Sequence, residues 1–145
     1  MKLSHKCLYA LKIILDLSKY YHHKRVHIAE LAKRQNIPPK YLEQILIQLK
    51  KGGLIQSKKG PRGGYSLTRS PEEIMVGDVI RVTEKALFTF SDFEIHPIEG
   101  NDFFGVITEV ATAICRVIDK INFAEIQKRE FEALFEASQG NSFNI

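Results

Sequence analysis

The sequence predicts a mainly α-helical chain with a small β-wing: a winged helix-turn-helix domain followed by a long dimerisation helix. Three observations predict it. Two short helical patterns, at 28–34 and 39–51, are separated by only a tight turn. A glycine-rich cationic connection, Lys58-Lys59-Gly60-Pro61-Arg62-Gly63-Gly64, joins two short stretches of apolar alternation. Farther on, Phe103, Ile107, Val110, Ile114, Val117 and Ile121 are spaced 4, 3, 4, 3, 4, the seam of a heptad repeat. The expected organisation is a winged-helix domain at 1–84, a linker at 85–101, a helical dimerisation region at 102–137 and a flexible tail at 138–145.

The first helix is expected at 6–21, with Ser4 as its N-cap and a core face of Cys7, Ala10, Leu11, Ile14, Leu17 and Tyr21. His22-His23-Lys24 ends it in a loop. Adjacent histidines rarely face the same way, so this pair reads as solvated, with a metal ligand pair as the alternative. Arg25-Val26-His27 is a short extended piece. Ile28, Leu31 and Ala32 then turn one face of a small helix inward, and Gln35-Asn36-Ile37 forms the turn. Pro38-Pro39 opens the next helix, where a missing N–H does no harm. Gly52-Gly53 stops it.

That helix has two faces. Leu42, Ile45, Leu46 and Leu49 lie at i, i+3, i+4 and i+7 and belong to the core. The opposite side carries Lys40, Glu43, Gln44, Ile47, Gln48 and Lys51, flanked by Tyr41. This mixture of amides, a carboxylate, a phenol and lysines lacks i,i+4 ion pairs. It suits base edges and phosphates better than it suits a purely structural helix. Strands are expected at 54–58 and 64–68. Between them, glycines let a cationic tip approach a phosphate backbone closely, and a lysine or arginine there can enter a minor groove. An ordinary basic hairpin is the alternative.

Charge divides the chain. Residues 1–69 hold fifteen Lys and Arg against three acidic residues, a net of +12, and residues 70–145 hold six against fourteen, a net of −8. A basic half points to a polyanionic partner, with a solvated basic surface as the bland alternative. At 44% apolar and 26% charged residues the composition is that of a globular protein, which excludes disorder, collagen-like repeats and disulfide scaffolds. No apolar run approaches the ~20 residues of a membrane helix. Met1-Lys2-Leu3-Ser4-His5-Lys6 lacks the apolar segment of a signal peptide, so the expected location is cytoplasmic, with no membrane partner. The two cysteines, Cys7 and Cys115, read as small buried apolar residues, with a redox-active thiol as the alternative.

The segments Ile28-Ala29-Glu30-Leu31-Ala32, Tyr41-Leu42-Glu43-Gln44-Ile45-Leu46, Leu49-Lys50-Lys51-Gly52-Gly53-Leu54, Gly60-Pro61-Arg62-Gly63-Gly64-Tyr65 and Val76-Gly77-Asp78-Val79-Ile80 closely resemble the Rrf-two family of bacterial winged-helix transcription regulators. The resemblance covers roughly 1–84 without a gap and the later helices more loosely. It implies a homodimer on a partly palindromic stretch of double-stranded DNA. Lys40, Tyr41, Glu43 and Gln44 would then enter the major groove, while Lys59, Gly60, Pro61, Arg62 and Gly63 reach the minor groove. Gln48 would touch bases or position the helix, and Lys50, Lys51, Lys58, Lys59 and Arg62 would neutralise phosphates. Lysine stands at 59 where the family commonly has arginine, and Arg62 stands where many members have glycine; both departures bear on minor-groove reading.

In the acidic half, Ser70-Pro71-Glu72-Glu73 forms a capping box and 77–84 a short helix buried through Val79, Ile80 and Val82. Asn101-Asp102 caps the long helix. Its heptad seam is accompanied by a second apolar stripe of Phe104, Ala111 and Ile118, which makes a second copy of the chain the economical partner; an intrachain core helix is the alternative. A last helix begins at Asn122, has Glu125 three residues on, and carries Ile126, Phe131, Leu134 and Phe135. Cluster-binding members of the family carry three cysteines in the linker. Residues 86–101 contain none, and His96 there reads as solvated, so no iron–sulfur cluster, other metal or cofactor is expected. The resemblance thus favours the cluster-less, CymR-like branch, which takes cysteine synthase as corepressor. The ending Gly140-Asn141-Ser142-Phe143-Asn144-Ile145 resembles the tail that serine acetyltransferases insert into cysteine synthase, with Phe143, Asn144 and Ile145 as its contact residues; a frayed end is the alternative.

The expected function is therefore that of a DNA-binding repressor controlling cysteine or sulfur metabolism. A redox- or small-ligand-sensing regulator of the same fold, or a winged-helix protein-interaction module that does not bind DNA, are the alternatives. No nucleophile–base pair, phosphate loop or acid pair stands at usable spacing, which sets an enzyme aside.

Overall fold

Ser4 fixes the start of the first helix: its Oγ accepts the Cys7 amide at 3.1 Å. The computed structural model describes residues 2–84 and 102–142. The elements run α1 (His5–Lys19), α2 (Ile28–Gln35), α3 (Pro39–Lys51), β1 (Ile55–Lys58), β2 (Gly64–Leu67), a 3₁₀ turn at Pro71–Glu73, α4 (Val76–Thr83), α5 (Phe103–Ile118) and α6 (Phe123–Ser142). This is a mainly helical winged-helix fold with a two-stranded wing.

One apolar cluster joins the elements up to α4 and takes in the start of α6. It contains Ala10, Ile13, Ile14 and Leu17 of α1, Leu31 of α2, and Leu42, Ile45, Leu46 and Leu49 of α3; Val26, Ile37, Leu54, Ile55, Leu67, Ile74, Val79 and Phe123 complete it. The helix α1 packs against α2, α3, β2, α4 and α6. Its buried face is therefore wider than the single stripe expected. Ile13 joins the core, whereas Leu11 and Tyr21 are only half-buried.

The strands pair antiparallel with Ile55 opposite Leu67 and Lys58 opposite Gly64. Each is one residue shorter than expected, because Leu54 and Thr68 are joined by a Thr68 N–H to Leu54 carbonyl bond of 3.1 Å outside the ladder. The extended piece at Val26 adds a third edge. Val26 and Tyr65 exchange N–H···O bonds of 2.9 and 2.8 Å. The Ser70 capping box is present, and it starts a single 3₁₀ turn.

The second half docks through its start. Met75 and Asn122 form a bridge, Val76 N–H donates to the Ile121 carbonyl at 2.9 Å, and the Phe123 ring is buried in the common core. Arg81 of α4 grips Asp119 with two bonds of 2.6 Å, which holds the Asp119 carboxyl below its ordinary value. A methyl group at Gly77 would collide with that carboxylate and force the ion pair to shift.

Two expectations are corrected here. Ile121 is not part of the long helix: α5 stops at Ile118 with Asp119 as its C-cap, and Ile121 lies in the turn, where its carbonyl serves the Val76 amide. The helical region also does not stop at 137. Asn122 Oδ1 caps α6 by accepting the Glu125 amide at 2.8 Å, and the helix runs through Gly140 to Ser142, so 138–142 are helical. The linker at 85–101, with His96, and the tail residues Phe143, Asn144 and Ile145 lie outside the described residues.

Candidate nucleic-acid interface

The turn before α3 sets how that helix is presented. Asn36 takes the left-handed conformation at φ 51°, Ile37 is buried beneath it, and its N–H reaches the Ala32 carbonyl at 3.1 Å. The Pro38 carbonyl then accepts the Tyr41 and Leu42 amides, both at 3.0 Å, as the first turn of α3.

A polar cluster that the sequence reading missed locks α2 onto α1. Asp16 is buried, 6% exposed. Its Oδ1 accepts from Arg34 Nη2 at 2.7 Å, and its Oδ2 from Arg34 Nε at 3.0 Å and Gln35 Nε2 at 2.8 Å. Arg34 also reaches Glu30 at 3.1 Å, Lys24 meets the same carboxylate at 2.8 Å, and both cations lie over the Tyr20 ring. These donors push the Glu30 carboxyl below its usual value, and Asp16 holds the Arg34 guanidinium above its own. The only signal in the sequence was a lone acidic residue, Asp16, on the otherwise apolar side of α1.

On α3 the two faces separate as the periodicity predicts. Leu42, Ile45, Leu46 and Leu49 are buried, and Lys40, Glu43, Gln44, Ile47 and Lys51 are exposed. Tyr41 is half-buried, with its ring edge-on to Tyr9 at 5.8 Å. Gln48 differs from its neighbours. Half-buried, it donates Nε2 to the Val82 carbonyl of α4 at 2.8 Å, so it positions the helix and does not face outward. Lys50 Nζ donates to Ser57 Oγ of β1 at 2.7 Å, tying the end of α3 to the wing.

The wing tip is shaped by main chain. Gly63 N–H closes onto the Gly60 carbonyl at 2.9 Å, with Gly60 at φ +103° and Gly64 at φ +117°. A Cβ on Gly63 would strike the Lys58 carbonyl, and one on Gly64 would lie 2.6 Å from the Val26 carbonyl. Lys58, Lys59, Pro61 and Arg62 project from this frame into solvent.

Electrostatics distinguish two sets of cations. Lys19, Lys24, Arg34 and Arg69 are spent on Glu130, Glu30, Asp16 and Asp78. Among the described residues, Lys40, Lys51, Lys58, Lys59 and Arg62 have no ion-pair partner. The helix α3 and the wing therefore carry uncompensated positive charge beside exposed amide and carboxylate groups.

Comparison with known proteins agrees with this arrangement. The family model described as Rrf2, iron-dependent transcriptional regulator, matches residues 3–129. The chain belongs to the Rrf2 family. A Synechocystis protein named as an HTH-type transcriptional regulator is 37% identical over 93 residues, covering 64% of this chain and 63% of that protein. The transcriptional regulator IscR of Aliivibrio salmonicida is 40% identical over 87 residues, covering 60% of this chain and 52% of its own length. The matches thus span between half and two thirds of these relatives. Among solved structures, T. potens IscR superposes with a TM-score of 0.75 at 32% identity, covering 92% of this chain and 90% of that one. The B. subtilis CymR structure, titled the global cysteine regulator, gives 0.75 at 27% identity, covering 89% and 98%. The relatives named are regulators and not enzymes.

An iron–sulfur cluster is held chiefly by thiolates. The chain has two cysteines. Cys7 is buried in α1 beside Thr83, and burial raises its thiol pKa, while Cys115 is half-buried on α5 beside Arg81. Among the described residues no three His, Cys, Asp or Glu side chains gather as a metal site.

Asp16→Ala should cost about 1.5–3 kcal/mol, because it strips the Arg34 guanidinium and the Gln35 amide of their acceptor at a mostly buried site. Urea denaturation at neutral pH checks this; a loss below ~0.5 kcal/mol would show that the cluster does not hold α2 in place.

Proposed function

We propose that this chain is a homodimeric, sequence-specific DNA-binding transcription regulator that acts as a repressor in the cytoplasm. Lys40, Tyr41, Glu43 and Gln44 of α3 meet the major groove, and the wing from Lys59 to Gly63 meets the minor groove. The observation that carries this reading is the set of exposed cations on α3 and the wing without internal partners, next to side chains able to read base edges. The winged-helix interaction module that leaves DNA alone is disfavoured by the same uncompensated charge.

The dimer reading rests on α5. Phe103, Val110 and Val117 of the seam are each more than half exposed in the single chain, with Ile107 and Ile114 half-buried beside them. A second α5 is the partner whose pattern matches this stripe. The cluster-free, cysteine-linked reading rests on the cysteine inventory, on the likeness to CymR and on the sequence of the tail. In this reading Phe143, Asn144 and Ile145 enter cysteine synthase.

Five outcomes test these readings. DNA retained by the purified protein should share one partly palindromic motif. On that motif Lys59→Ala should lower the salt slope of binding by about one unit. Gln44→Ala should cost ~1–3 kcal/mol on the motif and little on random DNA; equal losses on both would refute base reading. Val110→Glu should convert the dimer to monomer in sedimentation analysis, and an unchanged mass would remove α5 from the interface. Deleting Phe143, Asn144 and Ile145 should abolish calorimetric binding to cysteine synthase; binding that persists, or is absent with the intact tail, rejects that partner.

A further inference from the structure

Behind the wing, the loop that follows α1 and the strands β1 and β2 form the two walls of a cleft of about 490 Å3. Residues 21–25 line one side, and Gln56, Ser66, Leu67 and Thr68 line the other. Arg25 is half-buried in the loop wall, immediately before the Val26–Tyr65 bridge that fixes the backbone there. Its Nε is closed to solvent and has no hydrogen-bond acceptor among the described residues. Among the described residues no carboxylate lines the cleft. The nearest candidate in sequence, Glu30, is already held by Lys24 at 2.8 Å and Arg34 at 3.1 Å. The opposite wall offers neutral donors, the Ser66 hydroxyl and the Gln56 amide, 3.4 Å apart. His22 stands at the rim with Tyr21 edge-on to it at 4.7 Å.

A guanidinium Nε closed to solvent without an acceptor is an unfavourable arrangement that a protein normally satisfies, and the half-buried Arg25 leaves the rest of its group free to meet one. Its planar donors match an oxyanion, and phosphate above all. We propose that this cleft is a phosphate-binding site centred on Arg25, with Ser66 and Gln56 as supporting donors. The volume exceeds that of bare phosphate and admits a phosphorylated small molecule. Ser66 lies two residues behind Gly64, roughly 7 Å along the strand from the tip, so a backbone phosphate of DNA flanking the wing is a second source of the same group.

Titrating the full-length, ¹⁵N-labelled protein with inorganic phosphate at constant ionic strength tests the site without DNA. Saturable shifts are expected at the amides of residues 24–26 and 66–68. Arg25→Gln should weaken the apparent affinity by about tenfold or more, and Arg25→Lys should restore part of it. Ser66→Glu gives the guanidinium an internal carboxylate and should abolish the response even if Arg25→Gln proves unstable. Shifts that do not saturate, or that survive both Arg25→Gln and Ser66→Glu, overturn the proposal. The source then follows from DNA binding. A salt slope lowered by about one in Arg25→Gln assigns the site to the DNA backbone, and an unchanged slope assigns it to a free phosphorylated molecule. The phosphate arm stands or falls independently of whether the chain binds DNA.

Discussion

The packing of α4 between two partners is the constraint on which the rest of the molecule depends. On one side its Val82 carbonyl takes the Gln48 amide of α3, and the Val82 side chain lies against Gly52, where α3 ends. On the other, Arg81 holds Asp119, Met75 bridges to Asn122 and the Val76 amide at the start of α4 bonds the Ile121 carbonyl. The recognition-type helix and the acidic second half thus share one short element. Phe123 gives that junction apolar burial as well as hydrogen bonds, so it is part of the core and not a surface latch.

The distribution of charge complements this construction. Carboxylates in the basic half are few, and Asp16 and Glu30 go to holding α2 against α1. The cations they satisfy are Lys24 and Arg34. Those on α3 and the wing are left over, and their mutual repulsion is tolerated because each is solvated and far from the apolar cluster. The fold therefore pays for a positive surface only where nothing structural depends on neutralising it.

Much of this was legible in the sequence, because the signals are local. The Ser4 and Asn122 caps, the i, i+3, i+4 stripe of α3 and the glycines of the wing each act over a few residues, and periodicity alone places them. What stayed hidden depends on partners remote in the chain. Asp16 meets Arg34 eighteen residues on, Gln48 meets Val82 thirty-four on, and Arg81 meets Asp119 thirty-eight on. The same blindness misplaced Ile121. The heptad spacing runs through it, but the Val76 amide needs its carbonyl, and that requirement ends the helix early. Gly140, a poor helix former, lies inside α6 all the same.

The wing tip owes its shape to glycine backbone geometry and main-chain bonding, not to the side chains it displays. Lys59, Pro61 and Arg62 consequently sit on a scaffold indifferent to their identity. Divergence at these positions can retune what the hairpin recognises without taxing foldability, so paralogues could acquire new targets by drift at three codons while the frame beneath them stays fixed.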